Sequence, residues 1–229
     1  LSFWLWVDSF PSTDDLVFRH GGAVPGRVRI QPDNAAGTSE IFTIGDIGEV
    51  NATFTRPTAG AWHHWVVNID YTKATDEIDT VYIDSSSQGL TYVDNTNNAG
   101  TFGNYLLALM SSLGGTAELA GRIAEMAIYG GILLSQSDVN SLYSGGAGTD
   151  ARNVQSGSLV AYWNICGRIS PEPATIGSIA QTLINGPTEA PHPIAGQCGV
   201  CGEGQLSNTV ALCPGAHLTP GQPAIEMRP

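Results

Sequence analysis

The 229-residue sequence predicts an all-β fold, two antiparallel sheets stacked as a sandwich or jelly roll with one short helix and an irregular C-terminal tail. Composition is the first reason: charged residues make up only 13% of the chain, which holds 28 glycines, 13 prolines and a single lysine, Lys73. Such a turn-rich, lightly charged chain suits many short strands. Spacing is the second reason, because apolar runs return about every ten residues with turn signals between them, as in a sandwich meander. The third is a hairpin pattern. Trp62-His63-His64-Trp65-Val66-Val67-Asn68-Ile69-Asp70-Tyr71 is rich in β-branched and aromatic residues, and a turn run at 72–76 leads from it into a second such run at 79–84.

The elements follow in chain order. Residues 1–10 are expected to form a strand, apolar on both alternating faces, with more chain or a removed leader ahead of it; Pro11 and the aspartates after it end it. Strands are expected at 16–20, at 27–30 with one wet face, at 40–44 and at 50–55. Along the first strand of the hairpin, His63, Trp65, Val67, Ile69 and Tyr71 share a core face. Trp62, His64, Val66, Asn68 and Asp70 share a mixed face that meets solvent and ligand or lies under a loop. Residues 85–100 read as loop with at most a short strand at 90–93, and 105–110 as a buried strand. Residues 121–129 carry apolar groups on both sides and read as a central strand.

Ser135 with Asp138 three residues on forms a capping-box pattern, Val139, Leu142 and Tyr143 supply the apolar stripe, and Gly145-Gly146 stop the helix. A last strand is expected at 158–165, so the sandwich spans 1–165. Residues 166–229 form a Pro/Gly/Cys-rich extension that packs on the sandwich or on a neighbouring subunit. All four cysteines, Cys166, Cys198, Cys201 and Cys213, lie in that extension. One close pair and two isolated thiols favour disulfides or partly free thiols over zinc.

A formal charge of −12 argues against nucleic acid as a partner. No apolar run approaches the ~20 residues that cross a bilayer as a helix, so membrane insertion is not expected. Asn51-Ala52-Thr53 matches a glycosylation acceptor but is better read as ordinary strand residues.

Several of these stretches resemble one family. Gly60-Ala61-Trp62-His63-His64-Trp65-Val66-Val67 is similar to the Gly-x-Trp-His-His-Val strand of laminin G-like domains in the concanavalin A-like lectin and glucanase superfamily. Val81-Tyr82-Ile83-Asp84 resembles the strand that follows there, with Ser85 where the family has glycine. Gly121-Arg122-Ile123-Ala124-Glu125-Met126-Ala127-Ile128-Tyr129, then Leu134-Ser135 and Leu142-Tyr143-Ser144-Gly145, resembles its closing strand and helix. Leu159-Val160-Ala161-Tyr162-Trp163-Asn164 resembles a strand that usually opens such a domain. Here it closes the domain in permuted fashion or begins a second, truncated unit. The extension also resembles C-terminal segments of such proteins from bacteriophages and bacteria.

The resemblance implies a concanavalin A-like jelly roll, and the residues themselves give no support for an enzyme. Glucanases of the superfamily set carboxylates about 5.5 Å apart on one strand. Glu77-Ile78-Asp79 supplies two carboxylates, but Val81 and Tyr82 stand where a third is required. Glu125 reads as a structural hydrogen-bond acceptor. His63 and His64 point to opposite faces and cannot ligate one metal together. No cofactor is expected; the resemblance is compatible with calcium in the loops, for which Asp84, Asp94, Asn95 and Asn97 are candidates.

Two roles follow. The first is a structural or decorating subunit of an extracellular assembly, a virion surface or filament, touching copies of itself or a capsid or filament protein. The second is a carbohydrate-binding module with Trp62 as a stacking platform and His64 and Asn68 as hydrogen-bond partners.

Overall fold

The computed structural model describes residues 1–10, 15–21, 27–34, 36–44, 48–96, 107–111, 119–165, 174–177 and 193–194. The expected turns at 11–14 and 45–47, Asn97 and the four cysteines lie outside these residues.

The described residues form twelve strands, most of them at period-2 runs: β1 (Ser2–Val7), β2 (Phe18–His20), β3 (Arg27–Gln31), β4 (Ser39–Ile44), β5 (Glu49–Phe54), β6 (Trp62–Ile69), β7 (Ile78–Ile83), β8 (Ser86–Ser87), β9 (Thr91–Asn95), β10 (Leu107–Leu109), β11 (Gly121–Tyr129) and β12 (Leu159–Trp163). They pair antiparallel into two six-stranded sheets, ordered β12-β11-β1-β6-β7-β8 and β10-β2-β3-β4-β5-β9. A single core fills the space between them, built from Phe3, Leu5, Ile30, Ile41, Val50, Trp65, Val67, Val81, Met126 and Trp163 among others.

The two sheets differ on their outer faces. Burial in β4 alternates strictly, with Ser39, Ile41 and Thr43 inward and Glu40, Phe42 and Ile44 half-exposed, so the second sheet keeps one wet face. In the first sheet β1, β6 and β11 are buried on both faces. A second apolar cluster explains this: Val66, Tyr82, Ala127 and Tyr129 pack under Leu134, Val139, Leu142, Ala151 and Val154, which belong to the helix α1 (Gln136–Tyr143) and the segments flanking it. The double apolarity of residues 1–7 is thus satisfied within the chain, by a central position between β11 and β6, and does not point to a neighbour.

The strand at 159–163 pairs with β11 as β12 and so joins the first sheet at its edge. Thr175 and Ile176 bond to Tyr162 beyond it. The expected buried strand at 105–110 is corrected: its described part is the short, half-buried edge strand β10, which among the described residues has a partner on one side only. Helix α1 has the expected cap, with Ser135 and Asp138 closing a capping box. Ser144 takes the left-handed conformation one residue before the glycines.

Two backbone positions fix how the strands meet. A Cβ on Gly121 would lie 2.1 Å from the carbonyl oxygen of Trp6, so only glycine lets β11 approach β1 there. Between β7 and β8 the chain reverses in two residues, Asp84 (φ 50) and Ser85 (φ 62), a turn that needs positive φ at both. A serine held there is strained. Ser85→Gly is expected to raise stability by about 0.5–1 kcal/mol, read from the urea midpoint at unchanged slope.

Candidate functional site

Asn68 and His64 sit on the mixed face of β6, beneath the helix layer. Asn68 accepts a hydrogen bond from the Leu134 amide (3.0 Å) and donates to the Leu134 carbonyl and to Thr80 Oγ1 (both 2.9 Å). Its amide thus works as one more strand partner, pinning the start of the helical segment to the sheet. His64 is 2% exposed, lies 5.1 Å from the Trp4 ring and 6.3 Å from the Tyr143 ring, and shares a 2.9 Å bond with Ser2 Oγ. Burial pulls its pKa down to about 4, against a smaller opposing pull from Asp84. The chain itself closes the face over these two candidates.

Trp62 lies where that cover ends. The register aligns Arg122 of β11, Trp6 of β1 and Trp62 of β6 in one row, one step beyond the covered Trp4 and His64. Both indoles are half-buried, with centroids 6.2 Å apart at 68°. The Arg122 guanidinium lies 4.8 Å from the Trp6 ring centroid. Trp6 Nε1 donates to Asp8 Oδ1 at 2.9 Å, and Arg122 stands 3.8 Å from the same carboxylate. The result is an aromatic corner edged by one cation and one anion, both partly in water. Trp6, Arg122 and Asp8 were not singled out from the sequence, since only the pairing of distant strands brings them beside Trp62.

His63, expected on the core face, sits instead at the rim. Its Nδ1 lies 2.6 Å from Asp84 Oδ2, and its Nε2 is 3.2 Å from Thr58 Oγ1 and 3.1 Å from the Thr58 carbonyl. Asp84 Oδ1 accepts from the His64 amide at 2.9 Å. Both oxygens of Asp84, a calcium candidate by sequence, are therefore engaged by the chain. Asn95, another, is tied to Asp76 by two bonds of 2.7 and 2.8 Å that anchor β9 to the β6–β7 turn. Asp94 is exposed on edge strand β9, and Asn97 lies outside the described residues. Among the described residues no three His, Cys, Asp or Glu side chains group as metal ligands do.

The carboxylates on β7 and beside it sit in different surroundings. Glu77 is fully buried and Asp79 is bound by Lys73. Glu125, in a left-handed bulge of β11, accepts from the buried Tyr162 hydroxyl.

A laminin G-like family model, described as the concanavalin A-like lectin/glucanases superfamily, matches residues 1–140. No curated protein and no solved structure matches the chain.

Proposed function

Because the chain belongs to the laminin G-like domains of the concanavalin A-like lectin/glucanases superfamily, we propose that it is a non-catalytic recognition module that takes a saccharide on the corner of Trp6, Trp62, Arg122 and Asp8. Domains of this family are typically non-catalytic and commonly extracellular. No described helix is long and apolar enough to cross a membrane.

The observation that carries the reading is the pair of half-exposed indoles beside Arg122 and Asp8. Indole faces take the C–H faces of sugar rings, while a guanidinium and a carboxylate at the edge donate to and accept from hydroxyls. His64 and Asn68 serve this surface only indirectly, by holding the neighbouring strands and the helix layer. The reading asks for no cofactor and no reacting group. A glycan array probed with the full chain is expected to give signals that Trp62→Ala lowers by at least about tenfold while the melting curve persists. An array blank for the native chain contradicts it.

A structural subunit of an extracellular assembly, such as a virion surface or filament, is the second reading, with copies of itself or a capsid or filament protein as neighbours. Its support is apolar: Leu133 (39% exposed) and Val160 (59% exposed) border a cleft of about 620 Å³ lined also by Phe18, Ile69, Tyr71 and Ile132. Under it the full chain sediments as an oligomer that Val160→Asp disperses. A monomer at high concentration counts against it.

A further inference from the structure

Only nine basic side chains stand against 21 acidic ones in this chain, so three arginines gathered around one ion pair among the described residues demand a reason. The alternation of β3 and β4 turns Arg27, Arg29, Glu40 and Phe42 to the outer face of the second sheet. Register then sets Arg19, Arg29, Phe42, Asn51 and Asp94 in one row across five strands, on the opposite side of the sandwich from Trp6 and Trp62. The guanidinium carbons of Arg27 and Arg29 lie 5.2 and 4.8 Å from the Phe42 centroid, so one ring holds both groups in place.

Their charges are not all answered. Glu40 pairs with Arg29 at 3.0 Å. Among the described residues Arg19 makes one long 3.4 Å bond, to the Gly21 carbonyl, and no described carboxylate lies within ion-pair distance of Arg19 or Arg27. Burial, then the charges of Arg19 and Arg29, lower the pKa of Arg27 against the pull of Glu49. Among the described residues, Nε of Arg27, Nε of Arg29 and Oδ1 of Asn51 are buried without a hydrogen-bond partner. Like charges directly opposite across a strand pair, as Arg19 and Arg29 are, cost stability unless something binds between them.

We propose that this face is a second binding site, for an acidic sugar whose carboxylate is taken by Arg19 and Arg27. Guanidinium forks match carboxylate geometry. Glu49, which lines up with Arg27 across Ile44, is an acceptor that suits a sugar hydroxyl and repels phosphate-rich polymers, as does the net charge of −12. Neighbouring strands stand about 4.8 Å apart, so the three arginines span one acid group rather than a run of them. The saccharide class rests on the reading above, but the location does not.

Isothermal titration of the full chain with short oligomers of galacturonate, glucuronate and mannuronate, and with their methyl esters, tests the proposal. One acid is expected to bind, with its ester at least about tenfold weaker, and Arg19→Gln or Arg27→Gln is expected to cost about fivefold or more. Trp62→Ala is expected to leave this binding unchanged. The proposal falls if no acid binds, if ester and acid bind alike, if the double variant Arg19→Gln/Arg27→Gln keeps native affinity, or if Trp62→Ala abolishes binding. Should the arginine variants fail to fold, the acid-against-ester comparison on the native chain decides alone. Neutral glycans bound at the tryptophan corner with no acid bound would sink this site and leave the proposed function standing.

Discussion

Trp65→Ala is expected to cost about 3–5 kcal/mol, the range for deleting a large buried aromatic side chain. Trp65 is fully buried at the middle of β6, stacked on Phe3 (5.9 Å, 14°) and edge-on to Phe54 (5.8 Å, 66°), so it joins strands of both sheets. Truncation leaves a cavity that two sheets fixed by their ladders cannot close. The indole N–H, however, is buried without an acceptor among the described residues. Trp65→Phe, which removes that unpaired donor, is therefore expected to lose much less than the alanine variant. Chemical denaturation of both variants checks the pair; equal losses would contradict both the ring packing and the unpaired donor as the source of the difference.

Acid is expected to destabilise the fold by about 3 kcal/mol through His64 alone. Buried between Trp4 and Tyr143, its ring is held neutral and its pKa falls from 6.5 to about 4. An unfolded chain takes up the proton near 6.5 and the folded chain does not until about 4. The contribution is therefore complete above 6.5, is lost as the pH falls from 6.5 towards 4, and changes no further below that. Asp70, held low by hydrogen bonds from Thr72, adds its own loss only below the ordinary carboxylate value of 3.8, so the two windows separate. Urea midpoints taken from pH 7 to 4 should fall steeply for the native chain and less steeply in His64→Gln, where the buried Leu1 amino group, lowered to about 5, still contributes. A slope unchanged by that substitution would mean that the ring is already charged or open to water.

The features legible in the sequence are those decided by near neighbours. The β6–β7 hairpin is written in its two β-branched runs, and the helix in Ser135, Asp138 and the stripe Val139, Leu142 and Tyr143. What the helix covers was not legible. That Asn68 would bond Leu134, and His64 lie under Tyr143, depends on docking elements more than sixty residues apart, and on composition the same face suits a ligand equally well. The Arg122–Trp6–Trp62 row has the same origin, since β1 must first lie between β11 and β6 before the three side chains meet. Strand β8 was missed because two exposed serines carry no period. The arginine face was hidden because scattered basic residues look dispersed along a chain until a sheet register lines them up.

The division of the outer face into a covered part and an open corner can be measured without knowing any ligand. The chain has five tryptophans, of which Trp4, Trp65 and Trp163 are 4%, 0% and 0% exposed while Trp6 and Trp62 are half-buried. Brief oxidation of the native protein with N-bromosuccinimide, located by peptide mass spectrometry, should mark Trp6 and Trp62 and spare the other three, and a glycan that binds the corner should protect both. Unreactive Trp6 and Trp62, or oxidation of Trp4 at the rate of Trp62, would contradict the open corner and with it the proposed binding surface.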